Sequence, residues 1–193
     1  MHRFALQPLR KVLRRARALP GSLRHRFELR AFRQAVLDGR SIRVGTEGEI
    51  EVRTFFGRRT LLEGIAALKS FYRFAPECFP LVVHEDGTFT RDDATLLTAH
   101  LPGVRIVDRE TADREVNGYL EAQGLVRCAA LRRGFVLAVK YFDVPFYGRG
   151  RRLLYLDSDV LFLQPPDALF EVLATRPSGA AGRHRPPDVP LVG

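Results

Sequence analysis

The stretch from Leu81 to Val107 reads LVVHEDGTFTRDDATLLTAHLPGVRIV and contains a strand, a helix and a second strand in succession. Its first apolar run becomes acidic and then turns at Gly87, as a strand does where it reaches the edge of a sheet. Thr90 can cap a helix, because its hydroxyl can accept a hydrogen bond from the first turn, and Gly103 is expected to end that helix. Two strands that are joined by such a crossover pair in parallel. The stretch therefore predicts a βαβ unit.

The same alternation continues on both sides of this unit. Upstream, residues 54–56 end a strand that leads into a helix predicted over 60–74. Downstream, Thr111 is expected to cap a helix that ends near Gln123, and residues 125–142 are expected to form one long apolar helix. Strands that alternate with helices predict an α/β fold with a doubly wound, mostly parallel sheet that is covered on both faces.

One segment departs from this alternation. Residues 42–56 alternate between apolar and polar side chains, which predicts a hairpin that turns within residues 45–48. The hairpin would place three acids on one side, namely Glu47, Glu49 and Glu51. These acids could chelate a cation, or they could form the solvent-facing edge of a strand.

The length and the charge distribution of the chain indicate its domain organisation and its possible partners. A chain of 193 residues with 46% hydrophobic content is expected to form one packed domain, and it is not a fibrous or mainly disordered sequence. The net charge of +9 is confined to residues 1–40, which contain 11 basic and 2 acidic side chains. The rest of the chain is balanced, so nucleic acid is not an expected partner. The basic amphipathic arm of residues 1–40 could contact an anionic membrane surface or nucleic-acid phosphates, or it could dock on a partner.

Other features bear on location. No apolar run approaches the roughly 20 residues that span a bilayer, and the basic N-terminal segment lacks the apolar core of a signal peptide. We therefore expect a cytoplasmic protein, with peripheral contact to the inner face of the membrane if the arm binds lipid. Cys78 and Cys128 lie far apart in the sequence and are expected to be buried thiols.

A second acidic strand end follows the apolar run 153–156, where Asp157-Ser158-Asp159 precedes the apolar residues 160–163. With 11 aspartates in the chain a D-x-D tripeptide is expected by chance, but the apolar context on both sides is unusual. We expect Asp157 and Asp159 at the buried carboxyl end of a central strand, where a cation must neutralise them. Because residues i and i+2 of an extended chain point to one side, both could hold one Mg²⁺ or Mn²⁺. The alternative is a strand that ends in a turn with solvated acids.

With its flanking residues this motif resembles the D-x-D region of GT-A fold, nucleotide-sugar-dependent glycosyltransferases, and more specifically bacterial enzymes distantly related to family 8. The resemblance covers residues 50–175 and includes 67–71 (ALKSF), 84–87 (HEDG) and 140–143 (KYFD). It implies a Rossmann-like GT-A sheet and a nucleotide-sugar donor, with a uridine diphosphate sugar expected. It also implies that Asp157 and Asp159 hold Mn²⁺ or Mg²⁺ on the donor's diphosphate, whereas the acceptor is not implied.

Three further candidate donor ligands follow from the resemblance. Lys140 stands alone in an apolar run and would contact the phosphates or the donor sugar, unless its aliphatic stem merely extends from a buried helix. Arg127 is a weaker candidate of the same kind. Asp86 could meet the ribose or the base, or it could be a plain turn aspartate.

The chain departs from the family pattern after a short helix predicted over 166–174. Residues 176–193 contain 4 prolines and 3 glycines without an apolar face, and we expect them to be a disordered tail. The fold would then be incomplete at its C-terminus, because the chain is a fragment or because its reading frame has shifted, and no catalytic residue can be assigned. We expect a metal-dependent glycosyltransferase or its donor-binding part over residues 41–175. The alternative is a non-catalytic remnant, or a docking protein with a nucleotide-binding fold.

Overall fold

The computed structural model describes residues 21–175 of the chain. Strands and helices alternate along this part up to the third strand, as the sequence pattern predicts, and three helices lie between the third strand and the fourth. The strands are β1 (Ile50–Phe56), β2 (Leu81–Glu85), β3 (Arg105–Val107) and β4 (Arg152–Tyr155). The helices are α1 (Gly21–Leu37), α2 (Leu61–Tyr72), α3 (Arg91–His100), α4 (Arg109–Ala122), α5 (Val126–Gly134), α6 (Val139–Phe146) and α7 (Asp167–Ala174), with 3-10 turns at Arg58–Thr60 and Val136–Ala138.

The four strands form one sheet in which all pairs are parallel, in the order β3-β2-β1-β4. The α/β class and the parallel sheet are therefore confirmed, and the strand order is compatible with a Rossmann-like fold. The chain adds β2 and β3 on one side of β1 and then returns to place β4 on the other side. The direction of winding thus reverses between β1 and β4, which is the point where sheets of this kind bind ligands.

The main core lies on the face of the sheet that carries Ile50, Val52 and Phe56. These side chains pack against buried residues of α2, including Ile65 and Phe71, together with residues of α1, α3 and α7. Burying each large apolar side chain contributes about 1.5–3 kcal/mol, so this face supplies much of the stability of the domain. Helices α4, α5 and α6 cover the other face in two smaller clusters.

The described half of the basic arm belongs to this core. Val36 of α1 is buried, and Phe32 packs against the same cluster. Just after α1, the Gly39 carbonyl accepts a hydrogen bond from Lys69 Nζ at 3.1 Å. Residues 1–20 of the arm and the tail of residues 176–193 lie outside the described part of the chain. None of the helices within residues 21–175 has the length and apolarity needed to cross a membrane.

The predicted hairpin over residues 42–56 is wrong. Gly45 forms an isolated parallel bridge with Pro80, which immediately precedes β2, so the segment does not fold back on β1. A Cβ atom at Gly45 would lie 1.9 Å from the Cys78 carbonyl oxygen, so only glycine permits this approach. Cys78 itself is exposed and Cys128 is half-buried, which corrects the expectation of two buried thiols.

Two helix boundaries also differ from prediction. The capping box at Thr90 is present, with Asp93 as its partner, but α4 is capped by Asp108, which accepts from the Thr111 N–H at 2.8 Å. The long helix predicted over 125–142 is interrupted at Phe135, whose backbone is extended. The interruption lets Arg132 of α5 fold onto Asp143 of α6, and this buried pair is the physical reason for the break.

Candidate functional site

The candidate site lies at the carboxyl edge of the sheet. Because all four strands are parallel, the residues that follow them emerge along one edge. These residues are Gly57 after β1, Asp86 after β2, Asp108 after β3, and Asp157 two positions beyond the end of β4. The edge thus carries three carboxylates and one glycine, and the glycine lies next to the strand pair where the winding reverses.

Glu85 organises one half of this edge. Its buried carboxylate accepts hydrogen bonds from the Gly87 N–H at 2.7 Å and the Phe89 N–H at 3.3 Å. Its other oxygen accepts from the Arg109 N–H at 2.6 Å, at the start of α4. One carboxylate therefore joins the loop after β2 to the first turn of α4. The sequence pattern did not single out Glu85, although the two consecutive acids Glu85 and Asp86, at the end of β2 and just after it, could have indicated it.

Asp86 lies against the end of β1. Its Oδ1 accepts hydrogen bonds from the backbone N–H and the hydroxyl of Thr88, so its carboxylate is held in a turn. A Cβ atom at Gly57 would lie 1.9 Å from the Asp86 carboxylate. The backbone of Gly57 is extended, so its torsion angles suit any residue, but a larger side chain here would require the Asp86 carboxylate to move. The Thr88 hydroxyl also accepts from the Arg58 N–H at 2.8 Å, which links the loops after β1 and β2.

The structure corrects the expected surroundings of the D-x-D motif. Strand β4 is an outer strand of the described sheet, not a central one, and Asp157 and Asp159 are exposed, the Asp157 side chain by 53%. Strand β4 ends at Tyr155 and the chain turns at Ser158 and Asp159, so the aspartates follow the strand instead of extending it. Within residues 21–175 no strand pairs with the other side of β4. Apolar residues beyond the motif are also exposed, Leu163 by 89%.

Lys140 and Asp157, two of the predicted site residues, are brought together. Lys140 stands at the start of α6, and its Nζ lies 2.6 Å from Asp157 Oδ1. The same Nζ lies 5.0 Å from the centroid of the Tyr155 ring, within the range of a cation–π contact. The hydrogen bond to Asp157 raises the pKa of Lys140, so its ammonium remains charged. Burial raises the pKa of Tyr155 to about 12, so its ring remains neutral.

Tyr155 was missed by the sequence analysis. It precedes Asp157 by two positions at the end of an apolar strand, and this spacing is the signal that could have indicated it.

Helix α2 fixes the segment after the motif. The Phe162 N–H donates to Ser70 Oγ at 2.9 Å, and the Phe162 ring packs edge-on against Phe71 at a centroid distance of 5.5 Å. The resemblance noted residues 67–71 and 157–159 as separate segments. In the structure Ser70 and Phe71 of the first segment contact Phe162, three residues after the second, so the chain just beyond the two aspartates is anchored to the core.

The remaining candidates lie apart from the Asp157–Lys140 pair. Arg127 is exposed near the start of α5, and no hydrogen bond or ion pair in the described part of the chain joins it to Asp157. Asp86 is separated from Asp157 by the width of β1, which is about 10 Å at two strand spacings. Asp143, the last residue of 140–143, serves the buried pair with Arg132.

A polar network lies beneath the site, between the sheet and α6. The guanidinium of Arg53 is fully buried and donates to Glu51, to His84 Nε2 at 2.8 Å, and to the Tyr147 carbonyl oxygen. Burial lowers the pKa of Arg53 to about 10 although Glu51 opposes this effect. Burial, reinforced by Arg53 and Arg105, lowers the pKa of His84 to about 3. Glu51 was expected either to face solvent or to chelate a cation. In the structure its buried carboxylate instead forms an ion pair with Arg53.

The carboxylates of Asp157 and Asp159 are oxygen ligands of the kind that a hard divalent cation prefers. The turn at Ser158 and Asp159 removes the extended backbone on which the prediction that both side chains point to one side depended. Mg²⁺ and Mn²⁺ accept one or two carboxylates and complete their shell with water and substrate phosphates. Within residues 21–175 no group of three or more His, Cys, Asp and Glu side chains could hold a metal, so phosphates or water would have to supply the remaining ligands. The Asp157 carboxylate already has one cationic partner, the ammonium of Lys140.

A cleft of about 370 Å³ opens at the opposite, amino-terminal edge of the sheet, and its lining includes Glu47, Glu49 and Arg152. It is remote from the carboxyl edge, and sheets of this type bind their ligands at the carboxyl edge. We therefore place the candidate site on the side of Asp157.

Comparisons with known protein families, with curated proteins and with solved structures gave no match. A functional assignment for this chain therefore depends on the chemistry of the carboxyl edge and on the resemblance of its motifs.

Proposed function

We propose that the chain is a metal-dependent glycosyltransferase of GT-A type, or the donor-binding part of one, that takes a nucleotide-sugar donor. The observation that carries the proposal is the position of Asp157 and Asp159. They follow β4 at the carboxyl edge, next to the strand pair where the winding of the sheet reverses. An exposed acidic pair at that point, with a lysine on one member, is suited to a metal-bound diphosphate.

Asp157 and Asp159 would hold Mn²⁺ or Mg²⁺ in this proposal. When bound, the metal would neutralise the charge that develops on the departing nucleoside diphosphate. Lys140 is close enough to add a second positive charge beside the phosphates, since its ammonium already lies 2.6 Å from Asp157. A uridine diphosphate sugar is the donor that the motif resemblance favours.

The nucleoside would cross the end of β1 to reach Asp86. A ligand that contacts both Asp157 and Asp86 must span the end of β1, where Gly57 has no side chain and the Asp86 carboxylate packs against its backbone. The Asp86 carboxylate is held in place by Thr88, so it could accept hydrogen bonds from ribose hydroxyls without a loss of side-chain freedom. Arg127 lies away from this path, and we assign it no part in donor binding.

The proposal is tested by the thermal midpoint of the full chain with Mn²⁺, with UDP, and with both together. A ligand at about 100 times its Kd stabilises the folded state by about 2.7 kcal/mol. For a domain of this size that corresponds to a rise of about 5–10 °C in the midpoint. We expect the rise to require both metal and nucleotide and to be lost in Asp157→Asn/Asp159→Asn.

A matched control is the double variant Glu47→Gln/Glu49→Gln. It removes two exposed carboxylates with the same spacing, but at the amino-terminal cleft. This variant should retain the full nucleotide-dependent shift. A cooperative melt with no shift for UDP, GDP, CDP or ADP in the presence of Mn²⁺ or Mg²⁺ would reject the donor site and favour a non-catalytic docking role.

A further inference from the structure

The contact between Lys140 and Asp157 places a cation where the proposed metal would bind. The ammonium is held on two sides, by the Asp157 carboxylate at 2.6 Å and by the face of the Tyr155 ring at 5.0 Å from its centroid. The Lys140 side chain is 29% exposed, so it is neither buried nor free in solvent. Of the two aspartates, only Asp157 has this partner among the described residues.

We propose that Lys140 is a built-in counter-ion that competes with the divalent metal for Asp157, and that it moves to the donor's phosphates when metal and nucleotide bind together. This inference rests on the proposed function, because the phosphates are those of the proposed donor.

The competition follows from charge and distance. A divalent metal binds a carboxylate oxygen at about 2.1 Å, so metal and ammonium cannot both occupy the same side of Asp157 Oδ1. A metal that bound beside the ammonium would be repelled by it at short range. Lysine can move, because its charge is carried on a flexible stem of four carbons. The Tyr155 ring provides a second surface that can support the ammonium after it leaves the carboxylate.

The charge balance predicts that metal and nucleotide assist each other. Two aspartates and one lysine carry a net charge of −1, and a divalent metal alone changes this to +1. A diphosphate then supplies the anion that the displaced ammonium needs. Metal alone should therefore bind weakly, whereas metal together with nucleotide should bind well, which is a positive coupling between the two ligands.

The experiment compares Mn²⁺ binding and UDP binding in the full chain. Free Mn²⁺ is measured by electron paramagnetic resonance without nucleotide, and UDP affinity is measured by calorimetry at saturating Mn²⁺. The variants are Lys140→Met, which removes the charge, and Lys140→Arg, which retains it. The control is Arg133→Met, because Arg133 forms an ion pair of the same length, 2.6 Å, with Glu121 away from the site.

We expect opposite effects of Lys140→Met on the two ligands. Removing an exposed ion pair should tighten Mn²⁺ binding by about two- to fivefold, which is the range of such pairs. Loss of a charged hydrogen bond to phosphate should weaken UDP binding by about tenfold or more. Lys140→Arg should keep Mn²⁺ binding as weak as in the wild type, and Arg133→Met should change neither affinity. Lys140→Gln serves as the neutral variant if Lys140→Met does not fold.

The results separate the two proposals. Unchanged or weaker Mn²⁺ binding in the neutral Lys140 variants would overturn the competition, even if the wild type binds Mn²⁺ and UDP. Equal changes of the same sign in both affinities would also overturn it. If the wild type binds no nucleotide but Lys140→Met tightens Mn²⁺, the donor site fails and the competition for Asp157 stands.

Discussion

His84 should make the protein less stable as the pH falls through the weakly acidic range. Its side chain is buried on β2, and its Nε2 lies 2.8 Å from Arg53 Nη1. Because arginine can only donate, Nε2 must be the acceptor and the ring must be neutral. Burial, together with the charges of Arg53, Arg105 and Arg132, lowers the pKa of His84 from 6.5 to about 3.

The sign and the size of the effect follow from these two pKa values. Between pH 6.5 and pH 3 the unfolded state binds a proton at His84 and the folded state does not. The free energy of unfolding therefore falls as the pH decreases through this window. The loss is about 1.4 kcal/mol per pH unit well below pH 6.5, which gives about 2 kcal/mol at pH 5.0 relative to pH 8.0.

The assay is urea unfolding of the wild type and of His84→Gln at pH 8.0 and pH 5.0. Glutamine does not titrate, and its amide oxygen can still accept a hydrogen bond from Arg53. Carboxylates titrate equally in both proteins, so the difference between the two pH effects isolates His84. We expect the wild type to lose about 2 kcal/mol more than the variant. Equal losses in the two proteins would refute the argument that His84 is held neutral by its surroundings.

Two further predictions concern the fold. Asp143→Asn removes the charge from a fully buried, bidentate pair with Arg132, at 2.6 and 2.7 Å, and should lower the free energy of unfolding. Arg132 keeps its ion pair with Asp113 at 2.6 Å, so the expected loss is about 1.5–3 kcal/mol in urea unfolding, and one below about 0.5 kcal/mol would contradict the importance of the Arg132–Asp143 pair for the break between α5 and α6. Gly45→Ala should destabilise the domain, because its Cβ would lie 1.9 Å from the Cys78 carbonyl oxygen. The matched change Gly118→Ala, in open space within α4, should raise the thermal midpoint through about 0.5–1 kcal/mol of helix propensity, and similar midpoints for the two alanine variants would refute this contrast.

Local signals predicted most of the elements of the sheet. The apolar run of β2, the cap at Thr90 and the stop at Gly103 determine a strand and a helix with few alternatives, and the structure contains both. The prediction of a hairpin over residues 42–56 was wrong because an alternating apolar–polar pattern shows that a segment is extended but does not show which part of the chain it pairs with. The Ile42 and Val44 N–H groups donate to the carbonyls of His100 and Pro102, and the Gly45 N–H donates to the carbonyl of Phe79 just before β2. All three partners are distant in sequence, so alternation alone does not reveal them.

The prediction of one long helix over residues 125–142 was wrong for a related reason. The apolar pattern of residues 125–142 is compatible with one helix, but it does not report the attraction between Arg132 and Asp143. That pair forms only if the chain bends between them, as it does at Phe135. A buried salt bridge is a long-range cause that periodicity does not show.

The candidate site was predicted in its residues but not in its surroundings. The acidic ends of β2 and β4 indicated Asp86, Asp157 and Asp159, and a single charge in an apolar run indicated Lys140. The prediction that the D-x-D motif is buried was wrong, because apolar flanking residues indicate only that a strand can be buried. Whether it is buried depends on its neighbours in the sheet, and β4 has β1 as its only strand neighbour within residues 21–175.

The three hydrogen bonds of Glu85 determine how this edge can respond to a ligand. The loop after β2 and the first turn of α4 share one buried acceptor, so displacing either would leave donors unpaired at a cost of about 1–3 kcal/mol each. That half of the edge is therefore held rigidly. The turn after β4 is exposed and is held by the ion pair of Asp157 with Lys140 and by the contacts of Phe162 with α2. Adjustment to a ligand would thus fall to the exposed side chains of this turn, while the loops after β2 and β3 hold their shape.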